Sequence, residues 1–166
     1  MATLSKVVPI VTEQCIHKQP NASMCFVCGR DNPIGLHMEF YDDGEKMVVS
    51  KITPPAYFEG YPGVLHGGIV ATILDEVVGR VSMVQDHHRF MMTVKLLTKY
   101  RHPVPIGEEL IAIGRAVRIG GRIGKAQGEI VLSDGTVACE AEMVLTDMPA
   151  QLATPDRQQR LEWRLD

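Results

Sequence analysis

An excess of basic residues is missing from this 166-residue sequence: Lys and Arg number 17 against 20 Asp and Glu, for a formal net charge of −3. Such a chain offers no positive field to nucleic acid or to an anionic membrane surface. Long apolar runs are missing too. None approaches the roughly 18 residues that cross a bilayer. The leading segment MATLSKVVPIVTEQ pairs a single Lys with a short apolar stretch cut by Pro9, which makes a poor signal peptide. The location this implies is the cytoplasm. Cysteine is sparse, and Cys15, Cys25, Cys28 and Cys139 do not make a disulfide scaffold in a chain of this length. There is no internal repeat and no low-complexity tract. What remains is ordinary globular composition, 45% hydrophobic and 22% charged, long enough for one domain with a proper core.

The pattern along the chain predicts an arm over 1–33 carrying Cys25 and Cys28, a main unit over 34–147 and a tail over 148–166. In the main unit, Leu36, Met38 and Phe40 alternate, Asp43-Gly44 is turn chemistry, and Met47 to Ile52 resumes an extended run, which reads as a hairpin. A Gly/Pro-rich loop then leads to His66, and an apolar helical pattern runs from about Gly68 to Val84. Further strands follow. Met92, Val94, Leu96 and Tyr100 share one face, with Thr93, Lys95 and Lys99 on the other; Ile111, Ile113, Val117 and Ile119 alternate, as do Val137, Cys139, Ala141, Met143 and Leu145. Gly120-Gly121 and Asp134-Gly135 mark the tight turns. The tail reads as a short helix or a frayed end. The fold class is α+β: an antiparallel sheet of about six strands wrapped around one long central helix, with leftover surface packed on another subunit.

The helix has two distinct sides. Ile69, Val70, Ile73, Leu74, Val77, Val78, Val81 and Val84 form the core stripe, while Gly68, Ala71, Thr72, Asp75, Gly79 and Ser82 lie opposite. Glu76 has Arg80 four residues on and reads as an ordinary helix ion pair, whereas Asp75 has no basic residue at the neighbouring helical positions. The helix begins at His66-Gly67-Gly68, where unpaired N–H groups and the positive end of the dipole can polarise a carbonyl that the glycines allow to come close. Gly68 and Asp75 are seven residues apart, about 10 Å along a helix, too far to serve one reacting carbon from one chain. Antiparallel helices from two subunits bring one Gly68 beside the other chain's Asp75.

These residues resemble the hot-dog-fold acyl-CoA thioesterases, in the branch related to the phenylacetate-pathway enzymes. The resemblance is carried by His66-Gly67-Gly68 with Asp75, by TVKLLTKYRHPVPIGEEL with Tyr100, by Gly121, Arg122 and Ala126, and by the preceding CFVCGRDNPIGL. It implies hydrolysis of an acyl-CoA thioester to free acid and CoA, in a homodimer or dimer of dimers, with no metal or organic cofactor. By position, Gly68 N–H polarises the carbonyl, His66 orients the loop or substrate, Asp75 of the partner is base or nucleophile, and Thr93 helps position the water. Gly67, Lys99, Arg122 and Lys125 are the substrate-binding candidates, with Lys95 and Arg118 also available to the phosphates of CoA. Some relatives carry an amide side chain six residues before the His, where this chain has Gly60. Two alternatives stand beside this reading. One is a non-catalytic acyl-CoA-binding protein on the same fold. The other is a structural zinc at Cys25 and Cys28 with His17, Cys15 or His37; the pair otherwise reads as metal-free thiols packed beside the turn at Gly29.

Overall fold

The computed structural model describes residues 13–165. Long β-patterned segments separated by glycine turns pair into the centre of the molecule: β6 (Met91–Tyr100), β7 (Leu110–Gly120), β8 (Ile123–Val131) and β9 (Val137–Asp147). With the short β1 (His17–Lys18) and β2 (Tyr41–Asp42) and the six-residue β3 (Met47–Ile52), they form an antiparallel sheet in the order β1-β2-β3-β7-β8-β9-β6. A separate ribbon, β4 (Glu59–Tyr61) with β5 (Val64–Leu65), leads into α1 (Gly67–Gly79). The expected first strand does not form through Leu36–Phe40. His37 takes a φ of 51°, which breaks the extended run, yet Leu36, Met38 and Phe40 are still buried.

Helix α1 lies against the sheet through Val70, Ile73, Leu74, Val77 and Val78, each buried, and each such side chain contributes about 1.5–3 kcal/mol by leaving water. The approach is close because two strands carry glycine beneath it. A Cβ at Gly114 would stand 2.3 Å from the Val77 carbonyl oxygen, and one at Gly128 would stand 2.4 Å from Val78 Cγ2. The long helix expected over 68–84 is shorter in fact. It ends at Gly79 and tightens into a 3-10 turn over Arg80–Met83, where the buried Ser82 hydroxyl donates to the carbonyls of Gly79 and Arg89. Ser82 therefore leaves the exposed side on which the helical pattern puts it.

Two bulges reset the strand faces. In β6 the register shifts between Thr93 and Lys95, so Thr93 falls on the helix side together with Leu96, while Lys95 and Lys99 point away. In β7 a shift between Ala116 and Arg118 turns Ile119 into the main core, whereas Ile111 and Ile113 belong to a smaller cluster with Cys15, Met47, Val49 and Val131 on the opposite face. The tail forms α2 (Pro155–Leu161) and packs back: Trp163 meets Phe90 edge-on at 5.4 Å, and Asn21 bridges to Arg164.

Candidate active site

The exposed side of α1 and the edge strand β6 meet at Asp75. Thr93 Oγ1 donates to Asp75 Oδ1 at 2.8 Å, a contact that the β6 bulge makes possible. Asp75 is half-buried, and burial raises its carboxyl above the ordinary value. The Thr93 hydrogen bond opposes that rise, and the neighbouring Glu76 charge adds to it. A carboxylate that has lost part of its water and keeps one oxygen without a donor among the described residues is a good proton acceptor.

At the other end of the same face, His66 caps the helix. Its Nδ1 accepts the Gly68 N–H at 2.9 Å, so a neutral ring carries its proton on Nε2. The Gly68 N–H that the motif assigns to a carbonyl is thus engaged, and Gly67 N–H is the helix-start donor left without a partner among the described residues. Tyr100 O–H donates to the Gly67 carbonyl at 2.8 Å and braces the helix start from β6; Thr72 O–H donates to the Gly68 carbonyl at 2.9 Å. Tyr100 is a positioning residue that helical periodicity has no means of finding, because the contact joins two elements. A groove of about 380 Å³ opens beside Gly67 between Tyr61, Val64, Leu65, Val70, Tyr100 and Val104. Gly60 stands directly against His66, since a Cβ there would lie 3.1 Å from His66 Cα.

The basic candidates do not join this cluster within one chain. Lys95 and Lys125 line one groove of about 360 Å³ on the outer face of the sheet, with Arg118 opposite Lys125 on the neighbouring strand. Lys99 pairs with Glu142 at 3.5 Å in a separate, charged groove, and Arg122 sits at the β7–β8 turn. The Glu76–Arg80 pair exists, Nε to Oε1 at 2.9 Å, but it is not an ordinary exposed pair. Arg80 is only 2% exposed. Its guanidinium also donates to Pro20 O and Asn21 Oδ1 and lies 4.2 Å from the Phe40 ring centroid and 4.9 Å from that of Trp163. It ties arm, helix and tail together.

A family profile described as "Thioesterase superfamily" matches residues 62–139. The acyl-coenzyme A thioesterase THEM4 of Xenopus laevis is 34% identical over 83 residues, which are 50% of this chain and 36% of that protein. The matches to the THEM4 proteins of Xenopus laevis and Rattus norvegicus cover about a third of those proteins, 36% and 35% of their lengths. Among solved structures, the thioesterase superfamily protein RHA08564 superposes with a TM-score of 0.67 at 25% identity, covering 87% of this chain and 75% of that one. The E. coli PaaI protein from the phenylacetic acid degradation operon superposes with a TM-score of 0.62 at 17% identity, covering 69% and 81%. The architecture of sheet and helix is the hot-dog fold of these structures. Among the described residues no helix is long and apolar enough to cross a membrane.

Proposed function

We propose that this chain, whose residues 62–139 match the thioesterase superfamily profile, hydrolyses an acyl-CoA thioester to free acid and CoA at a site shared by two subunits. The observation that carries the reading is the hydrogen bond from Thr93 to Asp75 on the exposed, small-residue side of α1. Thr93 holds one carboxylate oxygen and leaves the other to take a proton from water as that water adds to the thioester carbon. The Thr93 oxygen, having donated its own proton, keeps lone pairs to orient the water. Negative charge then builds on the carbonyl oxygen, which the helix start of the partner subunit receives. Gly67 N–H is the open donor there, and Gly68 N–H joins it when the His66 ring gives way. Collapse of the intermediate breaks the C–S bond, and the proton held by Asp75 passes to the departing CoA sulfur.

Two features support a composite site. Asp75 and Gly68 are about 10 Å apart along α1, and the edge strand β6 next to them is paired on one side only, with β9, among the described residues. The groove beside Gly67 suits an apolar acyl chain, and Lys95, Lys125, Arg118 and Arg122, which have no ion pair among the described residues, are available to the phosphates of CoA from a neighbouring subunit. A panel of acyl-CoAs with detection of released thiol tests the reading. Turnover that falls by orders of magnitude in Asp75→Asn is the expected result. Gly60, with no amide to aim at the site it faces, favours a second reading, a non-catalytic acyl-CoA binder; tight binding without thiol release across the panel identifies it.

A further inference from the structure

The cysteine pair of the arm is built around a sulfur. Cys25 Sγ receives the N–H groups of Val27 at 3.4 Å and Cys28 at 3.5 Å, while Gly29 N–H closes the turn on the Cys25 carbonyl at 2.8 Å. Only glycine fits at that last position, because a Cβ on Gly29 would stand 2.2 Å from the Cys25 oxygen. Backbone donors converging on one sulfur stabilise a thiolate. Across from the turn stands Glu76. Its Oε1 is taken by Arg80, and its Oε2 faces Cys25 Sγ at 3.9 Å. One atom each of Cys25, Cys28 and Glu76 lies within 4.8 Å of the others.

We propose that Cys25, Cys28 and Glu76 bind a thiophilic divalent cation, zinc by the chemistry of the donors, and so clamp the arm onto α1. Around a tetrahedral ion with bonds of about 2.3 Å to sulfur, the donors stand about 3.8 Å apart, which small rotations of these side chains reach. Two thiolates and a carboxylate suit zinc better than the harder cations. With both sulfurs deprotonated by the ion, as ligation requires, the set carries three negative charges, which Arg80 and a dication balance. Cys28 is buried and Cys25 is partly exposed, which leaves an approach from solvent and a fourth position for water. The donors that sequence proximity suggests are employed elsewhere. Cys15 packs in the opposite-face cluster near Met47, and His17 lies 3.6 Å from Asp42. The third ligand comes instead from the helix, 51 residues beyond Cys25.

The test uses the full chain, stripped with chelator and reloaded with zinc or cobalt(II). One zinc per chain by elemental analysis, and a near-ultraviolet thiolate charge-transfer band with cobalt, are expected in the unmodified protein. Both should vanish in Cys25→Ser and Cys28→Ser. Glu76→Gln should weaken zinc at least by the roughly 10–100-fold that loss of a partner one shell further out costs. If the buried Cys28→Ser chain fails to fold, the cobalt spectrum of the unmodified protein and the half-exposed Cys25→Ser decide. Folded protein that takes up no zinc, uptake unchanged in Cys25→Ser, or a Cys25–Cys28 disulfide in freshly purified protein overturns the proposal.

Discussion

Asp75 and Glu76 are adjacent in sequence and opposite in employment. Glu76 faces a guanidinium that is 2% exposed, so its loss leaves a buried cation short of its carboxylate. Arg80 keeps Pro20 O and Asn21 Oδ1, and a Gln side chain still accepts from Nε. Glu76→Gln should therefore cost about 1–3 kcal/mol, well above the roughly 0.5 kcal/mol that an exposed helix pair is worth, as read by chemical denaturation in chelator. Asp75 behaves in the opposite sense. Its raised value means that the folded protein holds the proton more tightly than the unfolded chain does. The stability this gives is full below the ordinary value of 3.8 and is lost as pH rises through the folded value. Asp75→Asn, which keeps the Thr93 hydrogen bond, should melt higher than the unmodified protein at neutral pH, and the gap should close below pH 3.8. Activity runs the other way with the same group. If Asp75 is the base proposed above it must be ionised, so kcat of the unmodified protein should fall on the acid side through a value above 3.8. A variant that is both less stable and still active at neutral pH would remove Asp75 from the mechanism.

At the scale of elements, the same geometry explains what was legible in advance. The core stripe of α1 follows from a 3.6-residue period: Val70, Ile73, Leu74, Val77 and Val78 are buried and Ile69 is half-buried against them, while Val81 and Val84, also buried, lie beyond the end of the helix at Gly79. The bulges in β6 and β7 were not legible, because one extra residue carries no composition of its own and yet reverses every face beyond it. Strict alternation sets Thr93 beside Lys95, away from the helix; only the resemblance assigned it to the site. The burial of Arg80 is hidden from local sequence for a related reason. Its partners Pro20, Asn21, Phe40 and Trp163 come from three distant segments, which no local pattern brings together. The cap is a property of the element as well. His66→Ala should lose about 1 kcal/mol of stability, whereas His66→Asn, also a good N-cap, should retain it. Gly114→Ala and Gly128→Ala should each cost about 1–3 kcal/mol by forcing α1 off the sheet. Melting curves of these four variants check both statements.

The whole molecule ends in an open edge. Strand β6 is ten residues long, has a strand on one side only among the described residues, and exposes Met92 at 39%, Val94 at 61%, Leu97 at 43% and Tyr100 at 52%. A long edge of this kind pairs with another chain unless charge or a bulge protects it; here the bulge lies at one end only, and of its two lysines, Lys95 and Lys99, the second is paired with Glu142 of the adjacent strand. In the composite site proposed above, a second copy would dock on this edge and bring its own helix start toward Asp75. Val94→Lys should therefore give a folded monomer, by light scattering and circular dichroism, that has lost turnover with Asp75 and Gly68 intact. Complementation gives the sharper test. Gly68→Pro removes a first-turn N–H that serves the His66 cap and no helical carbonyl, and Asp75→Asn removes the proposed base; each variant alone should be inactive. In a hybrid dimer one of the two composite sites has both its Gly68 and its Asp75, while the other lacks both. Random mixing makes half of the dimers hybrid, so the mixture should recover about a quarter of the unmodified rate. Hybrids verified by mass spectrometry that stay inactive would mean that each chain carries its own complete site.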